Sequence, residues 1–221
     1  MGLDMYLEKA KRIGNVTAEQ LGKINGYLSY LEEIENGSNY TLKEWYGINV
    51  EDLDMNLVEN YKDEYIKRYQ SWDNEKKYGH NTIFEQVGYW RKANHIHKWF
   101  VDNVQNGIDD CDTYKVTKEQ LEELLDICKE VVDNSKLVKG KIVNGQTLKN
   151  DKWETNYEDG EYIEDTSVAE ELLPTTSGFF FGGTNYDKWY LEDVKYTIQT
   201  IEDVLKTVDF EQEIVMYCSS W

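Results

Sequence analysis

Cysteine, proline and basic side chains are scarce in this chain, and each scarcity closes a route. The three cysteines, Cys111, Cys128 and Cys218, are odd in number and show no CxxC spacing, which argues against a closed disulfide framework and fits a reducing cytoplasm. Cys128 falls on an apolar helical face and reads as a small buried hydrophobe. No stretch is long and apolar enough to span a bilayer, and the opening residues show no basic region followed by an apolar run. The expectation is a soluble, unexported protein of the cytoplasm. Although the chain starts Met1-Gly2, myristoylation wants Ser or Thr at position 6, where Tyr6 stands. Lys and Arg number 24 against 43 Asp and Glu, a formal charge of −19. That balance disfavours direct binding to nucleic acid or anionic membrane and favours basic partners or cations.

What is abundant is aromatic surface: 17 Tyr and 7 Trp, in a chain whose residues are 40% hydrophobic, far more than a disordered acidic chain carries. The 221 residues suffice for a sizeable core. Mixed periodicity predicts an α+β fold, four to five helices packed on a small, mostly antiparallel sheet. Residues 1–221 read as a single domain, with 10–80 as a helical elaboration and 137–165 as a projecting hairpin or flap.

The sheet is expected to hold residues 3–7, where Leu3, Met5 and Leu7 alternate with polar neighbours, residues 179–181, and a closing strand over 213–218 paired with the first. Thr17 with Gln20, and Thr117 with Gln120, are capping-box patterns opening helices. The first carries Leu21, Ile24, Leu28, Leu31 and Ile34 and stops at Asn36-Gly37. A second helix over 50–72 would align Leu53, Leu57, Tyr61, Tyr65, Tyr69 and Trp72 in one stripe, followed by a polar loop to residue 81. Residues 83–89 read as a short strand feeding a central helix that begins near Tyr89. On it Trp90, Ala93, Ile96, His97 and Phe100 share an apolar arc, so His97 is expected to be buried and hydrogen-bonded. Arg91, Asn94, His95, Lys98 and Asp102 form a polar flank. Asn144-Gly145 is read as a hairpin turn. Pro174, the single proline, ends a short helix at Leu173, and Gly182-Gly183 lets the chain turn into the last helix.

The segments MGLDMYL (1–7), YWRKANHIHKWFVDNVQ (89–105), KIVNGQ (141–146) and LLPTTSGFFFGGTNYDKWY (172–190) together resemble a group of small proteins encoded by tailed bacteriophages and prophages. The resemblance covers the start and much of the second half, leaving residues 10–80 outside it. It implies a viral origin and an infected bacterial host as the setting, and it assigns no catalytic residue.

No known catalytic pattern is present. Ser177 lacks the G-x-S-x-G frame of a nucleophile elbow, Gly182-Gly183 lacks the spacing and Lys of a phosphate-binding P-loop, and His95 and His97 would splay to different faces of a helix. No metal, cofactor or catalytic residue is assigned, and an enzyme is the less favoured reading. The favoured one uses the charge: an acidic inhibitor docking on the basic surface of a host defence or nucleic-acid-handling protein through Asp52, Asp54, Glu59, Asp63, Glu64, Asp109 and Asp110. The alternative is capture of a nucleotide-like signalling molecule by Arg91, Lys92, Asn94, His95, Lys98, Ser177, Tyr186 and Trp189. A small-molecule hydrolase or transferase comes third.

Overall fold

A computed structural model describes residues 2–71, 77–149, 151–178 and 180–221. The first strand, β1 (Asp4–Lys11), buries Met5 and Leu7 and pairs antiparallel along its whole length with the last strand, β8 (Glu213–Ser220). The expected pairing of the two terminal segments is therefore present. β4 (Glu85–Arg91) flanks β1, and the short β5 (Tyr114–Val116) flanks β8, giving the antiparallel order β4-β1-β8-β5.

Both faces of this sheet are covered. On one, Met5, Leu7, Trp90, Val215 and Tyr217 share a core with α4 (Asn94–Asn103), α5 (Lys118–Asn134) and α7 (Lys188–Thr207). On the other, Ala10, Ile214 and Met216 pack with α1 (Ala18–Glu35) and α3 (Met55–Tyr61). Both capping boxes form: Thr17 and Thr117 each accept from the N–H three residues on, and Gln20 and Gln120 return the bond. Two short helices, α2 (Leu42–Tyr46) and α6 (Ser167–Leu172), complete seven among the described residues, five of them seven residues or longer, an α+β fold.

Five local expectations are overturned. Residues 50–72 are not one helix. After a 3-10 turn the Asp54 carboxylate accepts from Asn56 and Leu57 N–H and starts α3 afresh, which ends at Tyr61. The chain then becomes β2 (Ile66–Ser71), paired with β3 (Lys77–Thr82) where a loop was expected. The tyrosine stripe is thereby split: Tyr61 is fully buried with its hydroxyl on the Lys11 carbonyl, Tyr69 is exposed, and Trp72 lies outside the described residues. The central helix starts at Asn94, because Tyr89, Trp90 and Arg91 pair with β1 and Lys92 takes a positive φ of 63° that no helix accepts. Of the strand expected over 179–181, Phe180 and Phe181 form no part. Phe179 lies outside the described residues, Phe180 has φ 65°, and Phe181 N–H turns back to the Gly178 carbonyl.

Asn144-Gly145, finally, is not the turn. β6 (Leu137–Lys149) runs through it and pairs with β7 (Lys152–Ile163), with a bulge between Val143 and Gln146 and Gly145 at φ 74°. The same tolerance of positive φ suits a bulge as well as a reversal. The reversal comes later, beside Asp151 at φ 59°.

Candidate functional site

The end of β4 delivers Arg91 and Lys92 to the entrance of α4, and the first helical residue, Asn94, acts as a clasp. Its buried side chain donates to the carbonyls of Phe181 (3.2 Å) and Gly183 (2.8 Å) and accepts from Thr176 N–H (2.9 Å). Both limbs of the Gly-rich loop, residues 174–186, are thus tied to α4. Gly182 is needed there: its φ is 95°, and a Cβ would lie 3.0 Å from Lys92 Cβ and 3.1 Å from the Lys92 carbonyl oxygen. The loop then hands the chain to α7, whose first N–H groups, Trp189 and Tyr190, are capped by Asp187 at 2.8 and 3.2 Å.

The hairpin β6–β7 closes the other side. Ile163 N–H donates to the Tyr186 carbonyl, and Tyr162 bridges to Asp187, so the hairpin's base is fixed to the entrance of α7. Between hairpin, loop, α4 and α7 lies a cleft of about 1170 Å³, the largest of the described cavities. It takes Val143 to Gln146 from the bulge and Tyr157 from β7. Tyr157 and Trp189, from two different elements, both line this cleft and are 63% and 61% exposed as residues.

Six of the eight residues expected to bind a ligand line it: Arg91, Lys92, Asn94, His95, Ser177 and Trp189. Two do not. Lys98 pairs with Asp102 at 2.6 Å and lines a separate cavity of about 330 Å³, which shares Ser177 with the cleft. Tyr186 acts beneath the surface, accepting from Thr175 N–H and packing edge-on against Tyr190 at 5.0 Å.

His95 is 3% exposed, its ring 4.2 Å from that of Tyr190, and its Nε2 meets no hydrogen-bond partner among the described residues. Burial pushes its pKa down to about 3, so the imidazole is neutral at pH 7. Asp193, one turn into α7, also lines the cleft, and its pKa is raised to about 7, first by burial and then by the neighbouring charges of Glu192 and Asp187. Asp193 escaped notice in the sequence, although its spacing three from Tyr190 and four from Thr197 places it on the inward side of the helix. Arg91 is held loosely, 3.8 Å from Asp4, with half its side chain exposed.

His97 belongs to the smaller cavity and is buried and hydrogen-bonded as expected: Nδ1 lies 2.7 Å from the Tyr217 hydroxyl and Nε2 3.0 Å from Asp109 Oδ2. A carboxylate at Asp109 makes Nε2 the donor and leaves Nδ1 to accept from Tyr217. With both nitrogens engaged, none is left to activate Ser177, and a Ser-His-Asp relay is not assembled here.

The acidic set is divided. Asp54 caps α3, Asp52 accepts from Asn49, Glu59 pairs with Lys62, and Glu64 pairs with Lys11. Asp63 is exposed on the same limb. Asp109 and Asp110 lie on another loop, where Asp109 also accepts from Trp221 Nε1 and Asp110 from the Tyr114 hydroxyl. Among the described residues no helix is long and apolar enough to cross a membrane. No family model, curated protein or solved structure matches this chain.

Proposed function

We propose that this protein binds a nucleotide-like small molecule in the cleft beneath the hairpin and holds it there. The observation that carries this is the pair of exposed rings, Tyr157 and Trp189, presented to one cleft by the hairpin and by α7. Aromatic surface left open in a concave site is suited to stacking on a planar ring, which contributes on the order of 1–3 kcal/mol per base. The cleft's volume of about 1170 Å³ is somewhat larger than the usual small-molecule site, roomy enough for a nucleotide. Its polar groups, Asn185 and Thr184 of the loop and Gln146 of the bulge, suit the edges of a base or sugar. In an infected bacterium such a protein would withdraw a signalling nucleotide, in keeping with the resemblance to phage proteins. Calorimetric titration with a panel of nucleosides and nucleotides tests it: saturable binding that Trp189→Ala and Tyr157→Ala each weaken supports the proposal, and binding indifferent to both rejects it.

A second reading keeps the acidic surface as a dock for a basic host protein. It is favoured by Tyr40 and Trp45, both exposed and packed edge-on at 4.8 Å, on the limb that also carries Asp52, Asp54, Glu59, Asp63 and Glu64. These rings, rather than the buried Tyr61, would be the anchors among the acids. Affinity for such a partner should fall with added salt and with Trp45→Ala. Salt-independent capture would reject it.

A further inference from the structure

We infer that the cleft ends in an anion seat at the entrance of α4, built to hold the phosphate end of the ligand; this rests on the proposal that the cleft takes a nucleotide-like molecule. α4 is ten residues long and its N-cap residue is Ala93, which has no side-chain acceptor. Asn94 N–H turns back to the Lys92 carbonyl and His97 N–H goes to Ala93, and among the described residues no side chain caps the helix start at the intervening His95 and Ile96. An uncapped helix start attracts an anion through these donors and the helix dipole.

The second, independent observation is His95 itself. Its side chain is almost wholly buried at the cleft with Nε2 unpartnered. A buried polar nitrogen left without a partner costs about 1–3 kcal/mol. Nε2 itself has almost no accessible surface, so a ligand oxygen that accepts from Nε2–H, or a phosphate hydroxyl that donates to it, removes that cost after a small shift of the ring toward the cleft. Arg91 and Lys92 bring positive charge to the same end, and Lys92 has no ion-pair partner among the described residues. Lys92 is also held at a φ of 63° against Gly182, a conformation costing about 1–3 kcal/mol for a residue with a side chain. The cleft also carries acids that keep their charge, Asp187, whose carboxylate faces the first N–H groups of α7, and Glu158, which accepts from Asn144 at 2.7 Å across the hairpin, so the positive charge of the seat is local to Arg91 and Lys92.

Inorganic pyrophosphate is the direct probe, because it contains the anion and no ring. The chain's charge of −19 repels it elsewhere, so saturable binding singles out a built seat. Phosphorus NMR titration of the full chain should show one-to-one binding that Arg91→Ala weakens by at least about tenfold, the loss of a charge-assisted contact. Lys129→Ala, on the far surface of α5 and paired with Glu202, should leave binding unchanged. Circular dichroism of Arg91→Ala, whose side chain is 54% exposed, checks that the fold is kept. Absence of saturable binding, or equal binding by wild type and Arg91→Ala, overturns the seat. Nucleosides that bind where pyrophosphate does not would sink the seat and leave the ring site standing. Pyrophosphate binding without any gain from a base would do the reverse.

Discussion

Asn94→Ala removes the clasp that shapes the cleft. Three backbone groups, the Phe181 and Gly183 carbonyls and the Thr176 N–H, lose their partner together. Each bond contributes about 1 kcal/mol net, and a group left buried without water costs about 1–3 kcal/mol. The Phe181 bond is the buried one, while those to Gly183 and Thr176 are partly reachable by water, so the sum is about 3 kcal/mol rather than the upper limit. For a chain of this size that lowers Tm by roughly 6–12 °C. Asn94→Asp is the sharper variant: it keeps the acceptor for Thr176 but sets a carboxylate against two carbonyl oxygens, and should lose at least as much. Thermal and urea denaturation by circular dichroism read both. Stability within about 0.5 kcal/mol of wild type in both variants would refute the clasp.

Gly182→Ala should cost about 1–3 kcal/mol, since the added Cβ meets Lys92 at 3.0 Å in a left-handed conformation; an unchanged urea midpoint would contradict this. Tyr217→Phe leaves His97 Nδ1 buried without its partner and should cost about 1–3 kcal/mol by the same denaturation assay, a loss absent if that nitrogen is readily rehydrated. Glu8, buried in β1, has its pKa raised to about 7 by desolvation. Between its unfolded value near 4.5 and 7 the folded protein holds a proton that the unfolded chain has released, so this group's effect is to lower stability as pH rises through that window. Glu8→Gln should therefore stabilise the protein at pH 8 by up to about 3 kcal/mol and make little difference at pH 4, whereas a benefit confined to acid would reverse the sign.

The long-range frame was legible wherever one face of an element is apolar and its start carries a cap. Thr17, Thr117 and the alternation of Leu3, Met5 and Leu7 each specify an element, and two amphipathic ends of one chain find each other in the sheet. Tyr61, Tyr65 and Tyr69 misled because tyrosines four apart imitate a helical stripe, while the Asp54 cap and the pairing of Ile66 to Tyr69 with β3 act against continuity. Asn-Gly misled because it serves bulge and turn alike. In the cleft, Arg91, Lys92, Asn94 and His95 could be grouped from the sequence since they are nearly contiguous. The burial of His95 against Tyr190, the clasp of Asn94 on a loop more than eighty residues away, and the approach of Tyr157 are tertiary facts with no local signature.

The most direct test is isothermal titration of the intact chain with a nucleotide panel, run in parallel on wild type and Trp189→Ala. Trp189 is 61% exposed and its ring meets Lys188 Nζ at 5.6 Å, a surface contact of little weight, so the variant should melt close to wild type. Saturable one-to-one binding of at least one nucleotide by wild type is expected, weakened about tenfold or more in the variant, as the loss of one stacking contact implies. No binding across the panel, or equal affinity in the two proteins, would contradict the account.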